Sequence, residues 1–301
     1  MGDPTAQQLE DFGYLVQRCL GRGSTGTVFL CQKDEEQVVA KTVTLASLTP
    51  VDQKLAVQEA HVLSQLCHPH VVHHCDSFLL DPVDGEAVSL VIALEHCTGG
   101  DLARSIKQAK AAAVAFPEAQ VVQWISQTAG ALQYIHSHKI IHRDVKSSNV
   151  FLTSDGAVKL GDFGLARILE NTQDNATTTL GTPYYMSPEI CRSLAYGPAT
   201  DVWSLGVVLH ELCALSLPFR GDSLLGIVQS IVTVECEDVS RYGFSDNLAA
   251  IARWMLQKDA IQRPSAASLV SMLDWGGSKP AATASDKPRP PPPPGPRRPP
   301  A

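Results

Sequence analysis

The stretch from His142 to Arg167, HRDVKSSNVFLTSDGAVKLGDFGLAR, constrains this 301-residue chain more than any other. It reads as two short β-rich runs, VFL and VKLGD, reversed at Ser154-Asp155-Gly156. Such a hairpin brings Asn149, where one strand begins, close to Asp162, where the other ends. Their oxygens suit Mg2+, a hard cation that keeps substrate phosphates in its shell. Asp144, a few residues upstream, is placed to orient a hydroxyl or accept its proton. Lys146 can face a migrating phosphoryl group and offset its charge. His-Arg-Asp alone reads as a capped turn, and Asp-Phe-Gly alone as a tight turn before a helix. Together, and with Asn149 between them, they point to one reaction: transfer of a γ-phosphoryl group to a hydroxyl.

The rest of the chain predicts an α+β, bilobal architecture. Residues 14–43 read as strands, with TVFLCQ and QVVAKTV around the polar KDEE. Residues 51–66 read as a helix, on the spacing of Leu55, Val62, Leu63 and Leu66. SLVIALEHC, 89–97, reads as a buried strand that turns at Thr98-Gly99-Gly100. Pro117 suits a first helical turn, and Val121, Ile125, Ala129, Leu132 and Ile135 follow at helical spacing. DVWSLGVVLHELCAL, 201–215, is apolar nearly all round and predicts a fully buried helix. Residues 246–273 predict further helices. These elements divide into a β-rich N-lobe, 14–95, and a helical C-lobe, 100–273, joined near 95–100. Residues 1–13 form an N-terminal extension. Residues 276–301 are a proline-rich tail whose composition predicts disorder.

A formal net charge of −7 argues against nucleic acid as the main partner. No apolar run approaches the ~20 residues needed to cross a membrane. The polar, acidic start, MGDPTAQQLEDFG, does not resemble a signal peptide, and Ala6 breaks the myristoylation pattern. The eight cysteines form no Cys-x-x-Cys pair, which predicts reduced thiols and a cytoplasmic location. His68, His70, His73, His74 and Cys75 cluster in sequence, but their spacing fits no standard zinc pattern.

A glycine-rich loop lies near the start: Leu20, Gly21, Arg22, Gly23, Ser24, Thr25, Gly26, Thr27 and Val28. Glycines let a backbone approach phosphate and offer it N–H groups. Because a strand follows rather than a helix, the loop is predicted to be a flap between two strands. Lys41 sits in the next strand. It is either solvent-facing, or it binds nucleotide phosphates with Glu59, from the helix over 51–66, as its partner.

These residues together resemble the eukaryotic protein kinases, over residues 14–273. The resemblance implies ATP and Mg2+ as cofactors. It makes Asp144 the catalytic acid group, with Lys146 and Asn149 completing its loop and Asp162 binding the metal. It implies a Lys41–Glu59 ion pair, Leu94 as gatekeeper, and a hinge from Glu95 to Cys97 that meets adenine. Lys146 and the run Gly181 to Glu189, GTPYYMSPE, resemble the Ser/Thr type. There Thr182 is expected to contact Asp144 and Lys146, Glu189 to pair with Arg263, and Asp201 to brace the catalytic loop. VKLGDFGLARIL, GTPYYMSPE, TDVWSLG, HELCAL and CTGGDL resemble the NIMA-related (NEK) kinases. Ser147, Leu94 and HPHVV depart from the common pattern of that group without removing a reacting group.

The NEK resemblance places a regulatory phosphorylation at Thr178, with Arg143 able to grip the phosphate. It also raises, as family inference only, association with the cytoskeleton, a centrosome or a cilium. The expected partners are protein substrates. In the tail, Lys287-x-x-Pro290-x-x-Pro293 and Pro293-x-x-Pro296-x-Arg298 have the form of SH3- or WW-type ligands; an inert tail is the competing reading. The rival to an active enzyme is a pseudokinase or scaffold.

Overall fold

The computed structural model describes residues 4–23, 26–45, 49–81, 88–163, 183–195 and 197–274. Thr178, Thr182, Ser24, Thr25 and the proline-rich tail lie outside them, and so does the side chain of Glu59.

The N-lobe is a five-stranded antiparallel sheet in the order β1-β2-β3-β5-β4. Its strands are β1 (Leu15–Gly23), β2 (Gly26–Lys33), β3 (Glu36–Thr44), β4 (His74–Leu80) and β5 (Ser89–Glu95). One sheet face carries Phe29, Cys31, Val38, Ala40, Val91 and Ala93, all buried. A short helix, α1 (Pro4–Asp11), covers it with Leu9. Tyr14 follows, fully buried, and its hydroxyl donates to Asp76 Oδ2 at 2.9 Å. Phe12 stacks on Phe78, with ring centroids 4.4 Å apart. The extension over 1–13 thus contributes to the core through few apolar residues, too few for helical periodicity to reveal it. The opposite face packs Val43, Leu90 and Ile92 against Ala56 and Ala60 of α2 (Pro50–Ser64).

The C-lobe begins with β6 (Gly100–Asp101) and α3 (Leu102–Ala112), where Asp101 Oδ1 accepts from Arg104 N at 2.7 Å as the N-cap. In α4 (Glu118–Ser137) the predicted stripe Val121, Ile125, Ala129, Leu132 and Ile135 is completely buried. Each valine, leucine or isoleucine of the stripe contributes about 1.5–3 kcal/mol when removed from water. The hairpin β7 (Val150–Leu152) and β8 (Val158–Leu160) follows. After it come α5 (Pro188–Cys191), α6 (Pro198–Ala214), α7 (Leu224–Thr233), α8 (Asp246–Met255) and α9 (Ala266–Leu273). Thirteen of the 17 residues of α6 are buried, so it is the axis of the lobe. At Gly206 a Cβ would stand 2.9 Å from Met255 Cβ, which lets α8 lie directly on α6.

The strand predicted over 89–97 ends at Glu95, and the helix predicted over 51–66 ends at Ser64. Leu66 is nonetheless buried; beyond the helix it packs into the C-lobe core.

Candidate active site

The cleft between the lobes is built from three backbone constructions. The first is the sheet register. Gly21 pairs with Val28, Arg22 with Thr27 and Gly23 with Gly26, so β1 and β2 carry the glycine loop at their shared tip. Val28 pairs with Lys41, and Lys41 with Ile92. Directly opposed residues share a face, so Lys41 lies beneath the loop, on the α2 side of the sheet. Gly26 has a packing duty as well: a Cβ there would stand 1.7 Å from Thr42 O, so only glycine lets β2 cross β3 this closely. Leu20 is exposed at the edge of this tip.

The second construction is the hairpin β7–β8. Val150 pairs with Leu160 and Leu152 with Val158. Gly161 N donates to Asn149 O at 3.0 Å, which ties the residue before Asp162 to Asn149. Asp162 adopts φ 57°, a left-handed conformation uncommon for aspartate. Its carboxylate is the partner of Lys41 Nζ. The left-handed turn aims that carboxylate across the cleft toward β3; the side chain of Glu59, the partner anticipated for Lys41, lies outside the described residues. Phe163 packs against the His142 ring, with centroids 4.7 Å apart.

The third is the loop over 142–149. Asp144 Oδ2 accepts from Lys146 Nζ at 2.6 Å and from Asn149 Nδ2 at 2.9 Å. Asn149 Nδ2 also donates to Asp144 O at 2.8 Å. Asp144, Lys146 and Asn149 therefore form one cluster. The loop is held from below by Asp201 of α6, whose carboxylate accepts from His142 N at 2.9 Å, Arg143 N at 3.0 Å and His136 Nε2 at 2.8 Å. His142 is fully buried and donates from Nε2 to Gly161 O at 3.0 Å, while Nδ1 accepts from Asp144 N at 3.3 Å. Burial holds its pKa below the ordinary value, so the ring is neutral and joins the loop to the end of the hairpin.

At the lobe junction, Leu94 pairs with Val39 and His74. Glu95 Oε1 accepts from His73 N at 2.6 Å and from Lys159 Nζ at 2.8 Å, which fastens the junction to β8. Burial and then the nearby Glu95 charge push the Cys97 thiol up to about 11, so it stays protonated.

Farther from the cleft, Arg263 and Glu189 make two parallel bonds of 2.7 Å. Burial pushes the Glu189 carboxyl up, but the Arg263 bonds and charge, with other hydrogen bonds, leave it below the usual carboxylate range. One network escaped sequence reasoning. Tyr185 donates its hydroxyl to Glu211 Oε2 at 2.6 Å and lies 2.9 Å from Ser147 Oγ. A carboxylate inside the apolar α6 was the available signal, since a buried charge demands a partner. Nothing in the sequence named Tyr185 as that partner.

Comparison with known proteins fits this geometry. Residues 14–273 match the protein kinase domain family, so the chain belongs to the protein kinases. Mouse serine/threonine-protein kinase Nek4 is 39% identical over 259 residues, which is 85% of this chain and 32% of the relative. Human Nek5 is 37% identical over 260 residues, 85% of this chain and 36% of that protein. Human Nek11 is 38% identical over 264 residues, 86% and 40%. Within the protein kinases, then, this is a NIMA-related member. It spans about a third to two fifths of the length of these curated relatives. Among the described residues, no helix is long and apolar enough to cross a membrane.

Proposed function

We propose that the chain is an ATP-dependent protein serine/threonine kinase. The observation that carries this is the cluster of Asp144, Lys146 and Asn149, fixed on Asp201 and joined through His142 and Gly161 to Asp162. Asp144 orients the substrate hydroxyl and accepts its proton. Lys146, already bonded to Asp144, neutralises charge on the transferring phosphoryl group. Lys41 leaves its bond to Asp162 for nucleotide phosphates. The glycine loop closes over those phosphates, and the backbone from Glu95 to Cys97 meets adenine.

Asn149 and Asp162 offer oxygen donors, which fit Mg2+. The Asn149 amide nitrogen is spent on Asp144, so its oxygen is the donor it would offer a metal. Bound there, Mg2+ supplies charge neutralisation at the phosphates.

By the kinase resemblance, Thr182, which lies outside the described residues, is the expected contact of Asp144 and Lys146. Phosphorylation of Thr178, gripped by Arg143, raises activity; Thr178→Ala is expected to lower it, and equal activity would count against this role. SH3- or WW-type partners of the tail are tested by pull-down with and without residues 286–301.

A peptide-array assay with γ-labelled ATP, comparing wild type with Asp144→Asn, tests the central reading. Label on serine or threonine peptides that disappears in the variant is the expected result. No label with wild type favours a scaffold.

A further inference from the structure

The groove of interest runs beside the catalytic cluster, with a cavity volume of about 580 Å3. One wall is α3, which presents Ala103, Ile106, Lys107 and Lys110. That i, i+3, i+4, i+7 spacing places all of them on one helical stripe. The other wall is the end of α6 and the chain after it, including Leu217, Arg220 and Asp222. Tyr184 and Glu211 lie on the side toward the catalytic loop. The next residue, Tyr185, bonds both Glu211 and Ser147, which stands three places after Asp144. A peptide whose hydroxyl reaches Asp144 therefore extends naturally into this groove.

The charges decide what that peptide carries. Lys107, Lys110 and Arg220 are exposed. Among the described residues none of the three forms an ion pair. Asp222 is the opposing exposed acid. Glu211 is the second acid of the lining; it is half-buried and already accepts the Tyr185 hydroxyl. The three cations outnumber these two acids. The groove is thus positive in a chain whose formal net charge is −7.

We propose that this groove receives an acidic segment of the protein substrate, with Lys107 and Lys110 on one wall and Arg220 on the other pairing its carboxylates. Ile106, Tyr184, Leu215 and Leu217 line the same groove. The inference rests on the reading of the chain as a protein kinase.

The test uses fluorescein-labelled serine peptides, identical except for Glu or Lys flanking the serine. Binding is read by fluorescence polarisation without ATP, and phosphate transfer separately with ATP. The Glu peptides are expected to bind about tenfold tighter than the Lys peptides at low salt, with the ratio shrinking as salt rises. In Lys107→Glu/Lys110→Glu the ratio falls to unity or inverts. The ratio is taken within each variant, so it does not depend on how much activity that variant keeps. Arg220→Glu, on the opposite wall, should move it the same way if the double variant folds poorly. Equal binding of the two peptides, a preference for Lys, or a Glu preference unchanged by these substitutions would overturn the proposal. Selective binding without phosphate transfer upholds the groove and removes the kinase reading. Transfer without charge preference does the reverse.

Discussion

Two ion pairs in this molecule look alike in sequence and behave as opposites. Arg263–Glu189 is sealed: the arginine side chain is 0% exposed and the glutamate 10%. Lys41–Asp162 lies open in the cleft, with side chains 22% and 41% exposed. The sealed arginine has further work for its donors. It bonds Ala199 O at 2.9 Å and Gln257 O at 2.8 Å, and stacks over Trp203. Thr200 Oγ1 adds a bond to Glu189. Removing either partner strands a charge away from water. In the cleft, water can replace a lost partner, so Lys41 and Asp162 can change partners at small cost. The buried pair holds shape, and the open pair is left able to react.

The largest expected effect contrasts the cleft with the sealed pair directly. Asp144→Asn should lower kcat by about 10²–10⁴-fold while leaving the urea midpoint nearly unchanged, since Asp144 is itself 42% exposed. Arg263→Ala should do the reverse, with a stability loss of about 3–5 kcal/mol in denaturant titration. Next comes Tyr185→Phe, which removes a hydroxyl donor from the half-buried Glu211. A loss of about 1–3 kcal/mol is expected by the same titration.

Acid should act on the sealed pair too. Glu189 binds its proton less tightly when folded than at its ordinary 4.5. The stability it supplies is therefore complete above that pH and is lost as pH falls toward the folded value. Unfolding free energy measured across this window should slope more weakly with pH in Glu189→Gln than in wild type. The smallest effect belongs to Lys41→Ala, with a stability change under ~1 kcal/mol. A loss as large as that of Arg263→Ala would erase the distinction between the two pairs.

The same contrast separates what was legible from what was not. The α4 stripe and the near-uniform apolarity of α6 announced their burial, because helical spacing is written directly in residue order. The α+β division followed from where strand signals gave way to helical ones. Helices α1, α3, α5 and α7 went unread. In α1 two apolar positions carry the packing, and in α7 Gly226 interrupts the pattern. Within the site, Asp144, Lys146 and Asn149 were legible because they share one short loop. The contact of Lys41 with Asp162 was not, since a strand lysine can meet any carboxylate that the opposite lobe turns toward it; the anticipated partner Glu59 has its side chain outside the described residues.

Residue order alone determined the cluster of Asp144, Lys146 and Asn149, the hairpin that joins Asn149 to the residue before Asp162, and the buried helix that carries Asp201. These depend on spacing within a few turns or strands. Tertiary structure decided which charges meet. It set Lys41 against Asp162, joined Tyr185 to both Ser147 and Glu211, and gathered around one groove three cations that form no ion pair among the described residues. Those outcomes depend on how distant segments pack and on which side chains lose water, and neither is encoded in local spacing.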